Sequence, residues 1–220
     1  MAHEVSPHPW SLGPCTPVSR LSLGQSTATV LASIYEDPDA VRAFALRIPH
    51  WSRGRGQYPG HFLFTPIATR FYCSLISSVV GKPVLPHREY QFAPFAMIRD
   101  VGGDFQVSES MPHCDEFCDY VSIISLSTPE DVPATVLSGT SFWRHSPTGL
   151  TSMPRDLRRK EREKTFSERP DACWERIGFV PHQYNHMTVF SARAFHRIEF
   201  ANAEAASVRL TQNLYVVTSE

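Results

Sequence analysis

Apolar residues follow two rhythms along this chain. Between Asp37 and Ile48 (DPDAVRAFALRI), Val41, Phe44, Ala45 and Ile48 fall at i, i+3, i+4 and i+7, the spacing of one helical face. Asp37 is placed to cap that helix, and Pro38 suits its first turn. A second helix is predicted over Thr65 to Val80 (TPIATRFYCSLISSVV), capped by Thr65, with Pro66 at its first position and Gly81 and Pro83 ending it. From about Gln91 the rhythm shortens. Runs rich in β-branched and aromatic residues follow one another at Phe95–Arg99, Phe105–Ser108, Tyr120–Leu126, Thr140–Arg144, Met187–Ser191, Phe195–Phe200 and Arg209–Val217. Gly102-Gly103, Thr128-Pro129 and Ser146-Pro147 punctuate them as turns.

Two helices followed by such a series predict helices packed against one face of a β sandwich or barrel. The expected organisation is an irregular, Pro-rich leader over 1–24 and a single domain over 25–220, with helical support in 25–90 and the β core in 91–220. One insertion interrupts the strands. Residues 154–169 (PRDLRRKEREKTFSER) carry seven positive and four negative charges and read as a solvated helix with i, i+4 pairs such as Arg159–Glu163. Its alternative reading is a lid or partner surface.

Composition adds exclusions more than identities. With 220 residues, 42% hydrophobic and 20% charged, the chain can bury a full core and is not disordered in character. A net charge of −1 gives no global pull toward nucleic acid or an acidic membrane, and no apolar run approaches a bilayer span. The first 30 residues have no apolar block, so no secretory signal is expected. Five irregularly spaced cysteines argue against a disulfide framework and for a reducing, cytoplasmic setting. Arginine outnumbers lysine 18 to 3, read first as codon bias.

The search for chemistry begins with the ten histidines. Two stand in His-x-acid pairs, His87-Arg-Glu89 and His113-Cys-Asp115. On a strand, residues i and i+2 share a face about 7 Å apart and can grip one metal ion from one side. His113 and Asp115 lie just before an apolar strand, whereas His87 lies in a Pro-flanked loop and is expected at the surface. A third ligand is needed; His196 opens a strand, while His182 and His186 compete from a connector (PHQYNH) expected to be exposed. Two imidazoles and one carboxylate make the donor set of non-haem Fe(II) with open positions. Arg209 and Thr211 share a strand face 13 residues beyond His196, a fork and a hydroxyl suited to a carboxylate. The competing readings are an arginine paired with an acid, a zinc site using Cys114, Cys118 or Cys173, and a non-catalytic barrel that binds small acids.

The order His113-x-Asp115, His196, Arg209-x-Thr211 resembles the 2-oxoglutarate- and Fe(II)-dependent oxygenase superfamily. Asn185-His-Met-Thr-Val-Phe-Ser-Ala-Arg-Ala-Phe-His196 is similar to a segment of its prolyl-hydroxylase-like branch, as is Ser138-Gly139-Thr140-Ser141-Phe142, where one glycine of that branch's pattern is replaced. The Asp37-Pro-Asp-Ala-Val-Arg and Tyr58-Pro-Gly segments look like those preceding the barrel in small members. The resemblance implies a mainly β, double-stranded β-helix (jelly-roll, cupin-like) fold. It implies that His113, Asp115 and His196 bind Fe(II), and that Arg209, with Thr211 and Thr140, binds the distal carboxylate of 2-oxoglutarate. It further implies O2-dependent oxidation of an unactivated C–H of a small, amino-acid-like or natural-product substrate, with succinate and CO2 as co-products. Asp115 implies hydroxylation or a related oxidation in place of halogenation, since its carboxylate occupies the position a halide would need. The tyrosine that supports the co-substrate in some relatives has no clear counterpart.

Overall fold

The computed structural model describes residues 10–53, 58, 60–99, 111–157, 165–166, 171–201 and 207–219. Twelve strands are named among them. A hairpin, β1 (Thr16–Leu23) and β2 (Ser26–Ala32), turns on Gly24-Gln25 and is followed by helix α1 (Pro38–Arg47). Short strands β3 (Ser52–Arg53) and β4 (His61–Leu63) precede α2 (Cys73–Val80), and β5 (Val84–Pro86) and β6 (Phe95–Arg99) follow it. Then come β7 (Tyr120–Ser125), β8 (Leu137–His145), β9 (Trp174–Pro181), β10 (His186–Ser191), β11 (His196–Ala201) and β12 (Val208–Thr218). The large sheet runs β1-β2-β10-β7-β12-β6-β4-β3, with β5 on the end of β12. The small sheet is β11-β8-β9. All pairings are antiparallel, and the two sheets form the jelly roll expected above.

Alternation along β12 and β7 sorts side chains between two cores. Leu210, Leu214 and Val216 of β12 and Ile124 of β7 face outward and pack with Val41 and Ala45 of α1 and Ile76 of α2. Gln212 lies on that face too, its amide oxygen accepting from the Tyr72 hydroxyl at 3.1 Å and from the Tyr35 hydroxyl. The opposite face looks into the sandwich, where Val121, Phe190, Val30 and Leu23 meet Phe142 and Val180 of the small sheet. The helices therefore close the outer face and leave the inner face to build a site.

Local chemistry explains where the predicted elements hold. The Asp37 side chain accepts from Ala40 N–H at 2.9 Å and caps α1 as expected. Arg42 on that helix forks onto Asp131 (Nε–Oδ2 2.8 Å), whose carbonyl accepts from Val208 N–H, tying the helix to the start of β12. Asn185 takes a positive φ of 59° and grips both backbone groups of Tyr35 at 2.9 and 3.0 Å. Strand β6 and the central parts of β7, β8, β10, β11 and β12 fall where the sequence predicts them.

Three expectations are corrected. Residues 16–23, assigned to an irregular leader over 1–24, form β1. The helix expected from Thr65 starts at Cys73, after a 3-10 turn at Thr69–Tyr72, and Thr65 does not cap it. The cause is tertiary: Thr69 N–H donates to Gln91 O and Ala93 N–H to Ile67 O, both at 2.8 Å, holding the segment extended against its neighbour. Gly81 does end α2, in the left-handed region at φ 72°. Third, His182 is not exposed; its Nδ1 is buried. The strand expected at Phe105–Ser108 and the Arg159–Glu163 pair lie outside the described residues, as does most of the insertion at 154–169. Among the described residues no helix is long and apolar enough to cross a membrane.

Gly139 shows how tightly the small sheet is built. A Cβ there would sit 2.3 Å from Val180 O and 2.7 Å from the Phe179 ring. Gly139→Ala should cost about 1–3 kcal/mol through forced strand displacement, measured by urea unfolding.

Candidate metal centre

Two backbone hydrogen bonds create the site. His113 N–H donates to His196 O at 2.9 Å, and His196 N–H returns the bond to His113 O at 2.8 Å. This isolated antiparallel bridge sets the two imidazoles side by side, ring centres 4.5 Å apart. Asp115 N–H donates to Ala192 O at 2.8 Å, which turns the third residue toward the pair. The Asp115 carboxylate reaches His196 Nε2 at 3.4 Å, and one ligand atom from each residue lies within 4.8 Å of the others.

The imidazoles are oriented by their other nitrogens. His113 Nδ1 meets Met111 O at 3.1 Å and His196 Nδ1 meets Ala194 O at 2.9 Å. A carbonyl only accepts, so each Nδ1 carries the proton and each Nε2 keeps a free lone pair for a cation. Burial holds His113 largely neutral, with its pKa lowered to about 4; His196 adds to the effect and Asp115 opposes it. Burial raises the Asp115 carboxyl, but the adjoining His196 and then His113 outweigh it and leave the group below its ordinary range. Two neutral nitrogens and one carboxylate converge, and this donor chemistry fits Fe(II).

The sulfurs expected for a zinc site do not join this group. Cys114 Sγ contacts Glu116 and Cys118 Sγ contacts Asp115 O, each at 3.7 Å.

A cavity of about 710 Å³ opens from the triad between the sheets. Val121, Ile123, Asn213 and Tyr215 form its large-sheet wall, with Thr140 and Ile198 opposite. Tyr58, Phe62, Phe64, Tyr90 and Phe117 make an aromatic rim, where Tyr90 and Phe117 stack at 5.1 Å. Of the residues picked from sequence, His113, Asp115, His196 and Thr140 line this cavity. Thr211 and Arg209 do not; they continue the inner face of β12 beyond Asn213, with Thr211 Oγ1 meeting Asn213 Oδ1 at 3.1 Å. Arg209 is only 2% exposed, its Nε has no hydrogen-bond partner, and no carboxylate of the described residues lies against it. Among the described residues Arg209 is therefore not half of an ion pair. Burial opposes its charge, and a guanidinium so placed fits an incoming anion.

Several site residues were missed from sequence. The rim residues Tyr58, Tyr90 and Phe117 come from connecting segments, where no periodicity marks them. Asn213 and Tyr215 were findable, since period 2 puts them on the face of Arg209 and Thr211. Tyr120, the tyrosine next to the triad in sequence, packs with the outer core instead.

Residues 14–216 match the family of unknown function DUF6445. The chain belongs to this family. No curated protein matches it significantly. Among solved structures, the fold of this DUF6445 chain is similar to the non-haem α-ketoglutarate-dependent epimerase SnoN from nogalamycin biosynthesis, at 15% identity and a TM-score of 0.58, over 87% of this chain and 78% of that one. It is also similar to the non-haem α-ketoglutarate-dependent carbocyclase SnoK of the same biosynthesis, at 14% identity and 0.57, over 88% and 80%. SnoN in complex with Fe3+, α-ketoglutarate and nogalamycin RO aligns at 14% and 0.56, over 87% and 78%. At these identities the likeness establishes the fold.

His113→Ala, Asp115→Ala and His196→Ala should each weaken Mn(II) binding at least about tenfold, whereas Cys114→Ser should leave it unchanged; calorimetry separates the two cases. A pH dependence follows from His182, whose pKa burial and then the Arg209 charge lower to about 3. The unfolded ring titrates near 6.5, so between these values the unfolded state binds the extra proton. Stability of the metal-free protein should fall as pH drops from about 7 toward 4, and His182→Asn should reduce that slope in urea midpoints, leaving the part that the likewise depressed His113 contributes.

Proposed function

We infer that this chain is a non-haem Fe(II)- and 2-oxoglutarate-dependent oxygenase acting on a C–H bond of a small, apolar, ring-bearing substrate of natural-product type. One observation carries the reading: a closed His113/Asp115/His196 donor group opens on a cavity whose wall strand β12 bears, further along, a buried guanidinium with no acid against it among the described residues. A metal site alone is common chemistry. A metal site beside a wall strand that carries a carboxylate receptor matches a bidentate oxo acid whose far end needs an anchor.

His113, Asp115 and His196 would hold Fe(II), which when bound supplies activation of O2 coupled to decarboxylation of 2-oxoglutarate into succinate and CO2. Each residue has a distinct task. The carbonyls of Met111 and Ala194 keep the Nε2 atoms aimed at the ion. Asp115 gives the charge that neutral imidazoles lack, and its carboxylate leaves no place for a halide; this favours hydroxylation or a related oxidation over halogenation. Arg209 would hold the distal carboxylate, its strength raised by the dry surroundings. Thr140, which lines the cavity from the facing strand, would assist Arg209 on that carboxylate. Ile123, Ile198 and Val121 exclude water around the reacting centre.

The rim favours the natural-product reading over the amino-acid one. Among the described residues its ionic groups are Arg53 and Glu89, one of each sign, with Glu89 well exposed to water. Rings dominate the remainder, and aromatic faces favour flat apolar ligands. SnoN and SnoK, an epimerase and a carbocyclase, support a reading in which the fold serves small-molecule chemistry. The closer likeness to the prolyl-hydroxylase-like branch rests on the Asn185–His196 and Ser138–Phe142 segments.

Anaerobic titration with Fe(II) and 2-oxoglutarate should produce a weak visible charge-transfer band, lost in His113→Ala and Asp115→Ala. No band from the unaltered protein would refute the reading. Arg209→Met should weaken 2-oxoglutarate binding by about 2–5 kcal/mol. It should leave the melting temperature of the ligand-free protein level or higher, since a buried charge with no acid against it among the described residues is removed.

A further inference from the structure

A carboxylate offers about four acceptor positions, more than one fork fills. The sequence pattern nominates Thr211 as the neighbouring donor. Its hydroxyl is engaged with Asn213 Oδ1 (3.1 Å) and Ala96 O (3.4 Å), and a hydroxyl has one proton. In this rotamer Thr211 gives the receptor none.

His182 lies near enough to Arg209 for the guanidinium's charge to act on its ring. It follows β9, its N–H donating to Ser138 O at 2.8 Å. Ser127 N–H donates to its Nε2 at 3.3 Å. A ring nitrogen that accepts bears no hydrogen, so the proton of the neutral ring sits on Nδ1. That Nδ1 is buried without a partner. The same Ser127 accepts the Leu210 N–H through Oγ at 2.6 Å, so one serine fixes the tautomer and ties the ring to the residue beside Arg209. Burial and the guanidinium both disfavour protonation of His182, pushing it down to about 3 and keeping it a neutral donor beside a cation. The Tyr58 hydroxyl is another buried atom without a partner; its ring lines the cavity and it feels the Arg209 charge.

We propose that His182, as its Nδ1–H tautomer, is the second donor of the carboxylate receptor, acting with Arg209 and Tyr58 to select a dicarboxylic over a monocarboxylic oxo acid. The inference rests on the 2-oxoglutarate reading above and adds a residue that the Arg-x-Thr pattern does not contain. His182 touches the far end of the co-substrate and no reacting atom.

The test is calorimetric titration of the Mn(II)-loaded protein with 2-oxoglutarate and with 2-oxopentanoate, which has the same length but no distal carboxylate. His182→Phe should weaken 2-oxoglutarate about tenfold or more and leave 2-oxopentanoate within about twofold; His182→Asn, which restores a donor near Nδ1, should recover part of the loss. Equal 2-oxoglutarate affinity in His182→Phe and the unaltered chain overturns the role of His182 and leaves the oxygenase reading intact. Equal weakening of both ligands overturns it too, as a structural effect. Failure of the unaltered chain to bind 2-oxoglutarate removes both. Should the variants not fold, 15N spectra of the unaltered chain decide: Nδ1 should be protonated and should shift when 2-oxoglutarate is added, and an Nε2-protonated ring overturns the proposal.

Discussion

A pair of reciprocal backbone hydrogen bonds between His113 and His196 is the constraint on which the site depends. It joins a segment that precedes β7 to the first residue of β11, and so links the large sheet to the small one at their shared edge. Side chains opposed across an antiparallel bridge are held at close range by geometry that belongs to the backbone. The imidazoles therefore meet without any attraction between them. Their Nδ1 atoms bond to carbonyls two residues back, so each ring is fixed by its own strand and the pair is organised before a cation arrives.

Behind this lies a division of labour within β12. Leu210, Gln212, Leu214 and Val216 face the helices, while Thr211, Asn213 and Tyr215 face the sandwich. Arg209 belongs to the second set by alternation. A register slip of one residue would drive a guanidinium into the outer core and Leu210 into the pocket. The outer apolar packing consequently specifies the inner polar arrangement. The strand that carries this buried charge is held by both neighbours, β6 and β7.

The sequence was informative where local chemistry decides. Helix α1 was legible because its spacing, Asp37 cap and Pro38 lie within one segment. Strands β6, β7, β10 and β12 were legible because they are central and apolar. His113, Asp115 and His196 could be grouped because their order and the nearby strand ends fit a known donor set. What failed depended on distant partners. Thr65 looked like a helix cap, but the chain around Gln91 claims that backbone first. The β1–β2 hairpin escaped notice because β1 is an edge strand with mostly exposed, polar side chains, and only the Gly24-Gln25 link announced it. His182 looked like a surface residue because nothing in PHQYNH reveals that Ser127 covers it.

The cavity is built from two kinds of part. Its floor comes from hydrogen-bonded strands, where a change of volume disturbs neighbours on both sides. Much of its rim comes from connecting segments that bear Phe64, Tyr90 and Phe117, two of them large apolar rings left open to water. Loops accept replacement with little penalty to the fold. The shape of the cavity mouth can thus change by exchange of a few surface rings while the strand-built donor group beneath it stays as it is.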